Sequence, residues 1–134
     1  MKHNSYHIGD IFTNQDLMDT FGVSNSGGMR RSLANNCLLL IHKADSIYHD
    51  RWENGILKYT GMGLKGDQDI NFHQNKTLSQ SKTSGIQVLL FDNLKTNCYK
   101  YIGEVELADN AYEENQKGEN NQLRKVIIFP LKLK

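Results

Sequence analysis

The chain has 134 residues, of which 38% are hydrophobic and 23% are charged, and it carries a formal net charge of +1. These values are typical of one globular core, so a single domain is expected over residues 1–134. The near-zero net charge excludes a protein that attracts nucleic acid through a global basic field, although residues 24–82 are modestly basic and residues 104–119 are acidic.

Nothing in the sequence indicates a membrane protein or a secreted one. The longest apolar run, Cys37–Ile41, is far too short to span a bilayer, and the N-terminal residues are polar. Cys37 and Cys98 lie in apolar, strand-like contexts without the spacing of metal ligands. Free thiols of this kind are typical of a reducing cytoplasm, which is the expected location.

In chain order, the hydrophobic pattern first predicts a short strand or an extended arm through Ile11 and then a helix over Asn14–Phe21. Thr13 or Asn14 is expected to cap this helix, and Gly22 is expected to end it. Residues 24–28 are rich in serine and glycine, which predicts a flexible loop.

Five strand signals and one more helix follow. The second helix is expected from Thr77 to Ser84, before Gly85, and the acidic residues 109–122 are expected to form a loop. The strand signals are apolar segments bounded by turn residues: Cys37–Lys43, Ile56–Thr60, Ile86–Asp92, Cys98–Leu107 and Lys125–Leu133.

Strands that mostly follow one another without intervening helices argue against a βαβ repeat. The expected fold class is α+β, as a small, mostly antiparallel β-barrel with two or three short helices at its rim. Pro130 has no backbone N–H group, so the last strand is expected to be an edge strand or a bulged one.

The stretch KYTGMGLKGDQ, residues 58–68, contains the spacing G-x-G-x-x-G at Gly61, Gly63 and Gly66. A dinucleotide-binding fingerprint needs a helix directly after these glycines, whose N-terminus holds the pyrophosphate. Here a polar stretch with two carboxylates follows instead, which excludes that interpretation. Because glycine has no Cβ, such a loop is suited to form a pocket wall or to pass close to a ligand.

Aromatic and acidic residues surround the glycines. Tyr48 and Asp50 lie just upstream, and Tyr59 opens the glycine stretch itself. Taken alone, each tyrosine is an ordinary half-buried residue of a sheet, and Asp50 beside Arg51 is an ordinary ion pair. Together, two tyrosines and a carboxylate around a glycine-lined pocket would hold a planar heterocycle, as a flipped-out nucleobase is held.

The order of these motifs is YHDRW at 48–52, YTGMG at 59–63, GDQ at 66–68 and NK at 75–76. This order resembles the SRA (SET- and RING-associated, or YDG) domain. It is most similar to the SRA-like module of bacterial, McrA-type, modification-dependent restriction endonucleases, where the module is commonly joined to an HNH nuclease domain. The similarity extends from about Ile8 to the C-terminus.

The resemblance implies a PUA-like β-barrel that flips 5-methylcytosine or 5-hydroxymethylcytosine out of duplex DNA. Two tyrosines would stack on the base, an aspartate would accept from its amino group, and a threonine would contact its edge. The implied base-binding residues are Tyr48, Asp50, Tyr59, Thr60, Gly61 and Gly63. The residues expected to contact the DNA backbone or groove are Arg30, Arg31, Arg51, Lys65, Gln74, Asn75 and Lys76.

One departure concerns the groove. Animal SRA domains have an arginine after Asn-Lys, on a finger that fills the gap left by the flipped base, whereas Thr77 follows Asn75-Lys76 here. Specificity for CpG or for hemimethylated sites is therefore not implied for this chain.

The sequence contains no pattern for catalysis or for a resident metal or cofactor. Its five histidines are scattered without zinc-type spacing, and neither Glu-x-Lys nor Asp-x-Lys occurs. The chain is therefore expected to be a recognition module for duplex DNA with a modified base, with nuclease activity in a separate HNH domain or partner. Two alternatives stay open: a PUA-like RNA-binding domain and a barrel that binds free nucleosides.

Overall fold

The computed structural model of the protein describes residues 5–43, 50–64, 66–118 and 121–134. Within these ranges the chain forms three short helices and nine strands. The elements in chain order are β1 (Ile11–Phe12), α1 (Asn14–Phe21), β2 (Met29–Ser32), β3 (Cys37–His42), β4 (Arg51–Glu53), β5 (Ile56–Thr60), α2 (Gln74–Ser79), α3 (Ser81–Ser84), β6 (Gln87–Lys95), β7 (Cys98–Leu107), β8 (Tyr112–Lys117) and β9 (Leu123–Leu133).

All nine strands belong to one sheet with the order β2-β3-β6-β7-β9-β5-β4, to which β1 is added beside β7 and β8 beside β9. The pairing of β3 with β6 is parallel, and the other pairings are antiparallel. Over the described ranges β2 and β4 do not pair with each other, so the sheet is open. The α+β class and the mostly antiparallel sheet are confirmed, but the expected closed barrel is not.

A side chain connects the two ends of this open sheet. The hydroxyl of Tyr59, on β5, donates to the carbonyl oxygens of Gly28 and Ile41, at 2.9 and 3.0 Å. Gly28 directly precedes β2, and Ile41 lies near the end of β3. The sheet therefore curves until β5 faces the β2–β3 hairpin, and this curvature creates the cavity described below.

The sheet is buried on both faces at β3 and β6. Leu38 and Leu40 pack in one apolar cluster with Tyr59 and Phe129, whereas Leu39 packs on the opposite face, in a second cluster that α1 covers. Successive residues of a strand point to opposite faces, so a strand covered on both sides is apolar throughout. This explains the uninterrupted run Cys37–Ile41.

The first helix has the predicted bounds. Thr13 accepts from the backbone N–H of Asp16 and the Asp16 side chain accepts from the N–H of Thr13, which forms a capping box, and Gly22 ends the helix in the left-handed conformation. The second predicted helix begins earlier, at Gln74, and is divided at Gln80 into α2 and α3.

The prediction of a loop over residues 109–122 is wrong, because β8 occupies Tyr112–Lys117 and pairs with β9. This strand has only β9 as a neighbour in the sheet. Most of its side chains therefore face water, and its composition is polar and acidic instead of alternating. The short strands β2 and β4 were missed for a similar reason, since three or four residues carry little periodic signal.

The prediction of an edge strand or a bulged one at Pro130 is also wrong, because β9 lies between β7 and β5 and its pairings show no register shift. On one side of β9, residues 123–128 pair with β8 and residues 131–133 pair with β7. Pro130 falls in the gap between these two partners, and its carbonyl oxygen accepts from Ala108 on that side. The side of Pro130 that lacks an N–H group faces the point where β9 changes its partner from β8 to β7. The proline therefore interrupts no series of hydrogen bonds between paired strands.

Candidate functional site

A mostly apolar cavity of about 580 Å³ lies between β5, the glycine stretch that follows it and the open end of the β2–β3 hairpin. Five of the six predicted base-binding residues line it: Asp50, Tyr59, Thr60, Gly61 and Gly63. The sixth, Tyr48, lies outside the described residues. Sequence reasoning did not identify the apolar side chains that complete the wall: Met29, Ile41, Met62, Leu64 and Phe72.

Asp50 is the acidic residue of this cavity, and its side chain is only 5% exposed. One carboxylate oxygen accepts from the backbone N–H of Thr60 at 2.7 Å, and the other lies 3.2 Å from Nδ1 of His42. These two contacts fix the carboxylate against the cavity wall. A fixed, desolvated carboxylate is a strong acceptor for an amino group that enters the cavity.

His42 lies behind this carboxylate, at the end of β3, with its side chain 12% exposed. The hydrogen bond to Asp50 raises the pKa of His42 above its usual range, whereas burial of the ring lowers it. The negative charge of Asp92 also raises this pKa. His42 therefore keeps its proton to a higher pH in the folded state than in the unfolded chain.

We expect the free energy of unfolding to fall as the pH rises from about 6.5 through the raised pKa of His42. The protonated histidine stabilises the fold fully below its unfolded pKa, and this contribution is lost as the folded state releases the proton. The free energy of unfolding falls by about 1.4 kcal/mol for each pH unit that separates the pKa of His42 in the folded state from its pKa in the unfolded chain. Urea denaturation at several pH values between 5.5 and 8.5 measures it.

The matched variants for this prediction are His42→Gln and His7→Gln. The first removes the titrating group beside Asp50, and the second removes a histidine whose side chain is 81% exposed. The pH dependence should disappear in His42→Gln and persist in His7→Gln. An unchanged slope in His42→Gln would contradict the assignment to this pair.

Tyr59 forms the back wall of the cavity. It is 3% exposed and packs in the core, and its hydroxyl donates to Gly28 and Ile41. These hydrogen bonds and the surrounding side chains hold the ring in one orientation. Its fixed ring is therefore part of the cavity wall, and only a small part of its surface is exposed.

The glycines after Tyr59 are explained by two buried amide side chains. A Cβ on Gly61 would lie 2.7 Å from Oδ1 of Asn75, and a Cβ on Gly63, whose φ is +125°, would lie 3.3 Å from Cγ of Gln68. The loop thus passes close to protein side chains on one side while it lines the cavity on the other. The loop forms the expected pocket wall, and the groups that its glycines approach closely are these two protein amides.

The structure gives Asn75 a role different from the predicted DNA contact. It is completely buried, its Oδ1 accepts from the N–H of Met62 at 2.6 Å, and its Nδ2 donates to the carbonyl oxygens of Met62 and Asp69. A buried amide with these partners cannot reach a phosphate. Asn75 instead fixes the glycine loop onto the start of α2.

Gln68 and Arg124 are structural residues of the site whose roles sequence reasoning missed. The amide of Gln68 donates to the carbonyl oxygens of Gly61 and Gly63 and accepts from the N–H of Ile127 at 2.8 Å. Arg124 donates to the carbonyl oxygens of Gly63 and Gly66. The GDQ motif supplied the signal for Gln68, but nothing in the sequence linked Arg124 to this loop.

Arg30 also differs from its prediction as a DNA contact. It is 5% exposed, donates to the carbonyl oxygen of Gly27 and to Oδ1 of Asn14, and lies over the ring of Tyr99. Because side chains alternate along β2, Arg30 points to the side opposite Met29 and Arg31. Its role is to hold the Gly27 loop against α1.

Arg51 forms a bidentate ion pair with Glu114, with nitrogen–oxygen distances of 2.6 and 3.1 Å, and its Nε lies 3.3 Å from Glu53. The hydrogen bonds that Arg51 donates to Glu114 raise the pKa of Arg51 and lower the pKa of Glu114. The guanidinium therefore connects β4 to β8, and its predicted contact with DNA is not what this geometry favours.

Three other predicted DNA contacts share one location. Arg31, Gln74 and Lys76 line a second, polar cavity of about 350 Å³ together with His73, which also lines the apolar cavity. Across the part of the chain that the structure describes, Arg31 and Lys76 form no ion pair. Lys65 lies outside the described residues.

Thr77, at the position of the animal finger arginine, also lines the polar cavity. Its hydroxyl donates to Oε1 of Gln74 at 2.7 Å. Both residues belong to α2, so the Thr77 hydroxyl is hydrogen-bonded within its own helix.

The described ranges lack two kinds of feature. No group of three or more His, Cys, Asp or Glu side chains there is arranged to hold a metal ion. Likewise, none of the described helices is long and apolar enough to cross a membrane.

The family model for the ScoMcrA-like SRA domain matches residues 8–133, which is nearly the whole chain. The chain belongs to this family. The match includes all the motifs on which the resemblance to SRA domains rested, from YHDRW to the paired Asn75-Lys76. A comparison with curated proteins gives no match.

Solved structures of SRA domains share the fold. The sulfur-binding and SRA domains of ScoMcrA, complexed with phosphorothioated DNA, match with a TM-score of 0.77 and 17% identity over 96% of this chain and 40% of that one. The SUVH5 SRA domain with hemimethylated CG DNA gives 0.71 and 21%, over 97% and 90%. The modification-dependent restriction endonuclease AspBHI gives 0.64 and 16%, over 88% and 37%.

Proposed function

We propose that this SRA domain recognises duplex DNA that carries a modified cytosine, 5-methylcytosine or 5-hydroxymethylcytosine, and holds the flipped base in the apolar cavity. The observation that carries the proposal is a fixed, nearly buried carboxylate, Asp50, which lines the same mostly apolar cavity as the ring of Tyr59. A planar base with an exocyclic amino group satisfies both features.

Asp50 selects the base in this proposal. Its carboxylate accepts a hydrogen from the N4 amino group of cytosine, which thymine lacks. Extrusion of the base costs a few kcal/mol of stacking and pairing, and stacking on Tyr59 returns about 1–3 kcal/mol. A methyl group on the base adds about 0.8 kcal/mol when it is buried against the apolar wall.

Tyr48, Thr60 and the two glycines complete the proposed site. Tyr48 would supply the second stacking face, and Thr60 lines the cavity beside Asp50. Gly61 and Gly63 would leave room for the base edge. Lys65, in the same loop, would contribute a phosphate contact.

Arg31 and Lys76 are proposed to neutralise phosphates beside the apolar cavity, together with Gln74, which lines the same polar cavity. Replacing either cation by glutamine should reduce the slope of log affinity against log salt by about 1. Modified and unmodified duplexes should be affected equally, since phosphate contacts carry no sequence information. Binding titrations between 50 and 200 mM salt measure the slope.

Lys132 provides the control for these variants because it lies on β9 and faces Glu106 at 3.8 Å. Lys132→Gln should leave the salt slope unchanged. If Arg31→Gln and Lys76→Gln also leave it unchanged, the polar cavity is not a phosphate site.

The comparisons support a role as the targeting part of a larger enzyme. The chain spans 40% and 28% of the two ScoMcrA chains, and the second of these is a phosphorothioation-dependent restriction endonuclease. We propose that this domain recognises DNA and that cleavage belongs to an HNH nuclease domain or partner. The domain itself is proposed to be non-catalytic and to need no cofactor.

Fluorescence anisotropy with three matched duplexes tests the proposal. The duplexes differ at one cytosine, which is unmodified, 5-methylated or 5-hydroxymethylated. Tighter binding to a modified duplex, lost in Tyr59→Ala, is the expected result. Equal binding to all three would remove the proposal, and preference for RNA or for free nucleosides would favour the corresponding alternative.

A further inference from the structure

The imidazole of His42 contacts the Asp50 carboxylate directly. Its Nδ1 lies 3.2 Å from one carboxylate oxygen, and the other oxygen accepts from the backbone N–H of Thr60. An ionised carboxylate only accepts hydrogen bonds, so Nδ1 carries the proton in this contact. Both side chains are nearly buried. The carboxylate is therefore held from two sides before any ligand enters the cavity.

A second carboxylate flanks His42 on the neighbouring strand. Asp92 on β6 is the register partner of His42 on β3, and Lys100 on β7 is the register partner of Asp92. Oδ1 of Asp92 is buried, and no residue of the described ranges hydrogen-bonds to it. The hydrogen bond to Asp50 raises the pKa of His42 most, and the charge of Asp92 raises it further. Opposite charges thus alternate across the sheet, which stabilises a protonated imidazole between two carboxylates.

The other titratable side chains of the apolar cavity, besides Asp50 and Tyr59, are Lys43 and His73. Over the described residues, neither forms a hydrogen bond or an ion pair with Asp50. Tyr59 directs its hydroxyl to two backbone carbonyl oxygens. Within this part of the chain, His42 is thus the cationic partner of the Asp50 carboxylate.

The partner of a carboxylate matters most once a ligand has displaced the water of the cavity. A carboxylate without a partner is costly in a site without water. Uptake of a proton from solvent relieves this cost by converting the carboxylate to a carboxylic acid. The acid carries an O–H donor, so it also accommodates a carbonyl oxygen. A cationic partner that stays in the filled cavity prevents this exchange.

We infer that His42 is the positioning residue that keeps Asp50 an acceptor in the filled cavity, so that the site takes bases with an amino group at C4 and rejects bases with a carbonyl group there. The inference rests on the proposed function, in which Asp50 accepts from the base. It assigns the choice between the two kinds of base to the His42–Asp50 pair and not to the carboxylate alone. His42 acts through Asp50 and touches no base in this arrangement.

Thymine and 5-methylcytosine test the inference, because they differ only in the C4 substituent and the N3 proton that accompanies it. Each is placed opposite an abasic site in the same duplex, so that pairing does not contribute, and anisotropy gives the ratio of the two affinities at pH 5.5, 6.5 and 8.0. The wild type should prefer 5-methylcytosine about thirtyfold at each pH. In His42→Leu the ratio should fall to about threefold at pH 5.5 and recover as the pH rises.

His42→Gln and His7→Leu are the matched variants. Glutamine keeps an N–H donor for Asp50, so His42→Gln should retain most of the preference. His7 lies 3.9 Å from Asp10 in a pair outside the cavity and is 81% exposed, so His7→Leu should match the wild type. If His42→Leu binds like the wild type, or weakens both affinities by the same factor at every pH, the inference is wrong.

NMR spectroscopy of the wild-type imidazole nitrogens decides the case in which His42→Leu does not fold. The His42 signals, assigned by their absence in His42→Gln, should show a protonated Nδ1 in the complex with the 5-methylcytosine duplex. An Nδ1 without a proton there would overturn the inference.

The wild-type protein also separates this inference from the proposed function. If it binds modified and unmodified duplexes equally, the proposed function fails and the inference fails with it. If it prefers the modified duplex while His42→Leu keeps the full preference for 5-methylcytosine over thymine, only the inference fails.

Discussion

Replacing Asp50 by asparagine is expected to weaken binding to a duplex with 5-methylcytosine about thirtyfold, or about 2 kcal/mol. The substitution keeps the size of the side chain, but the amide presents one oxygen where the carboxylate presents two. The carboxylate of Asp50 already accepts from Thr60 and faces His42. With the charge removed, the base amino group loses its charge-assisted acceptor. Anisotropy titration against the matched duplex measures the change.

Asp109→Asn is the control for this variant, because Asp109 is an exposed carboxylate in the turn after β7. The affinity of Asp109→Asn for the modified and for the unmodified duplex should equal that of the wild type. The Asp50 variant should also lose most of the preference for modified over unmodified cytosine. If Asp50→Asn keeps both the preference for modified cytosine and the affinity, Asp50 is not part of the recognition site.

Replacing Asn75 by alanine is expected to lower the free energy of unfolding by about 3 kcal/mol. The substitution leaves the N–H and the carbonyl oxygen of Met62 and the carbonyl oxygen of Asp69 without this partner. The glycine loop then loses its attachment to α2, and modified-DNA affinity should fall as well. Urea denaturation measures the first effect, with the exposed Asn110→Ala as control.

A double-mutant cycle with Gly61 makes this prediction more specific. In the wild type, Gly61→Ala brings the new Cβ to 2.7 Å from Oδ1 of Asn75, so the variant should be strongly destabilised. In the Asn75→Ala background that oxygen is absent, and the same substitution should cost less. Additive effects would show that Asn75 does not constrain the backbone at Gly61.

Much of the fold could be predicted because its main elements carry their own signals. The helix α1 has a capping box and a glycine stop, and β5 and β7 are bounded by turn residues, so their predicted ends agree with the structure. In contrast, β8 is a polar strand that exists because β9 offers it a free edge. Such a strand is specified by its partner, which local sequence does not reveal.

The same distinction applies to the site. Five of the six base-binding residues that the resemblance implied line one cavity, and Asp50 accepts there from the backbone of Thr60. Residue type did not reveal where a cation points. Arg30 and Arg51 are of a residue type that commonly contacts DNA. In the fold they donate instead to Asn14 and Glu114, which lie 16 and 63 residues away in the sequence. Only the folded chain brings those partners together.

In the proposed function, the modified base leaves the duplex and enters the cavity beside Tyr59. A crystal structure of the domain on a short duplex with one 5-methylcytosine tests it most directly. We predict an extrahelical base that stacks on Tyr59, with its amino group within hydrogen-bond distance of the Asp50 carboxylate. A 5-methylcytosine that stays paired and stacked in the duplex, with the cavity empty, would contradict the account.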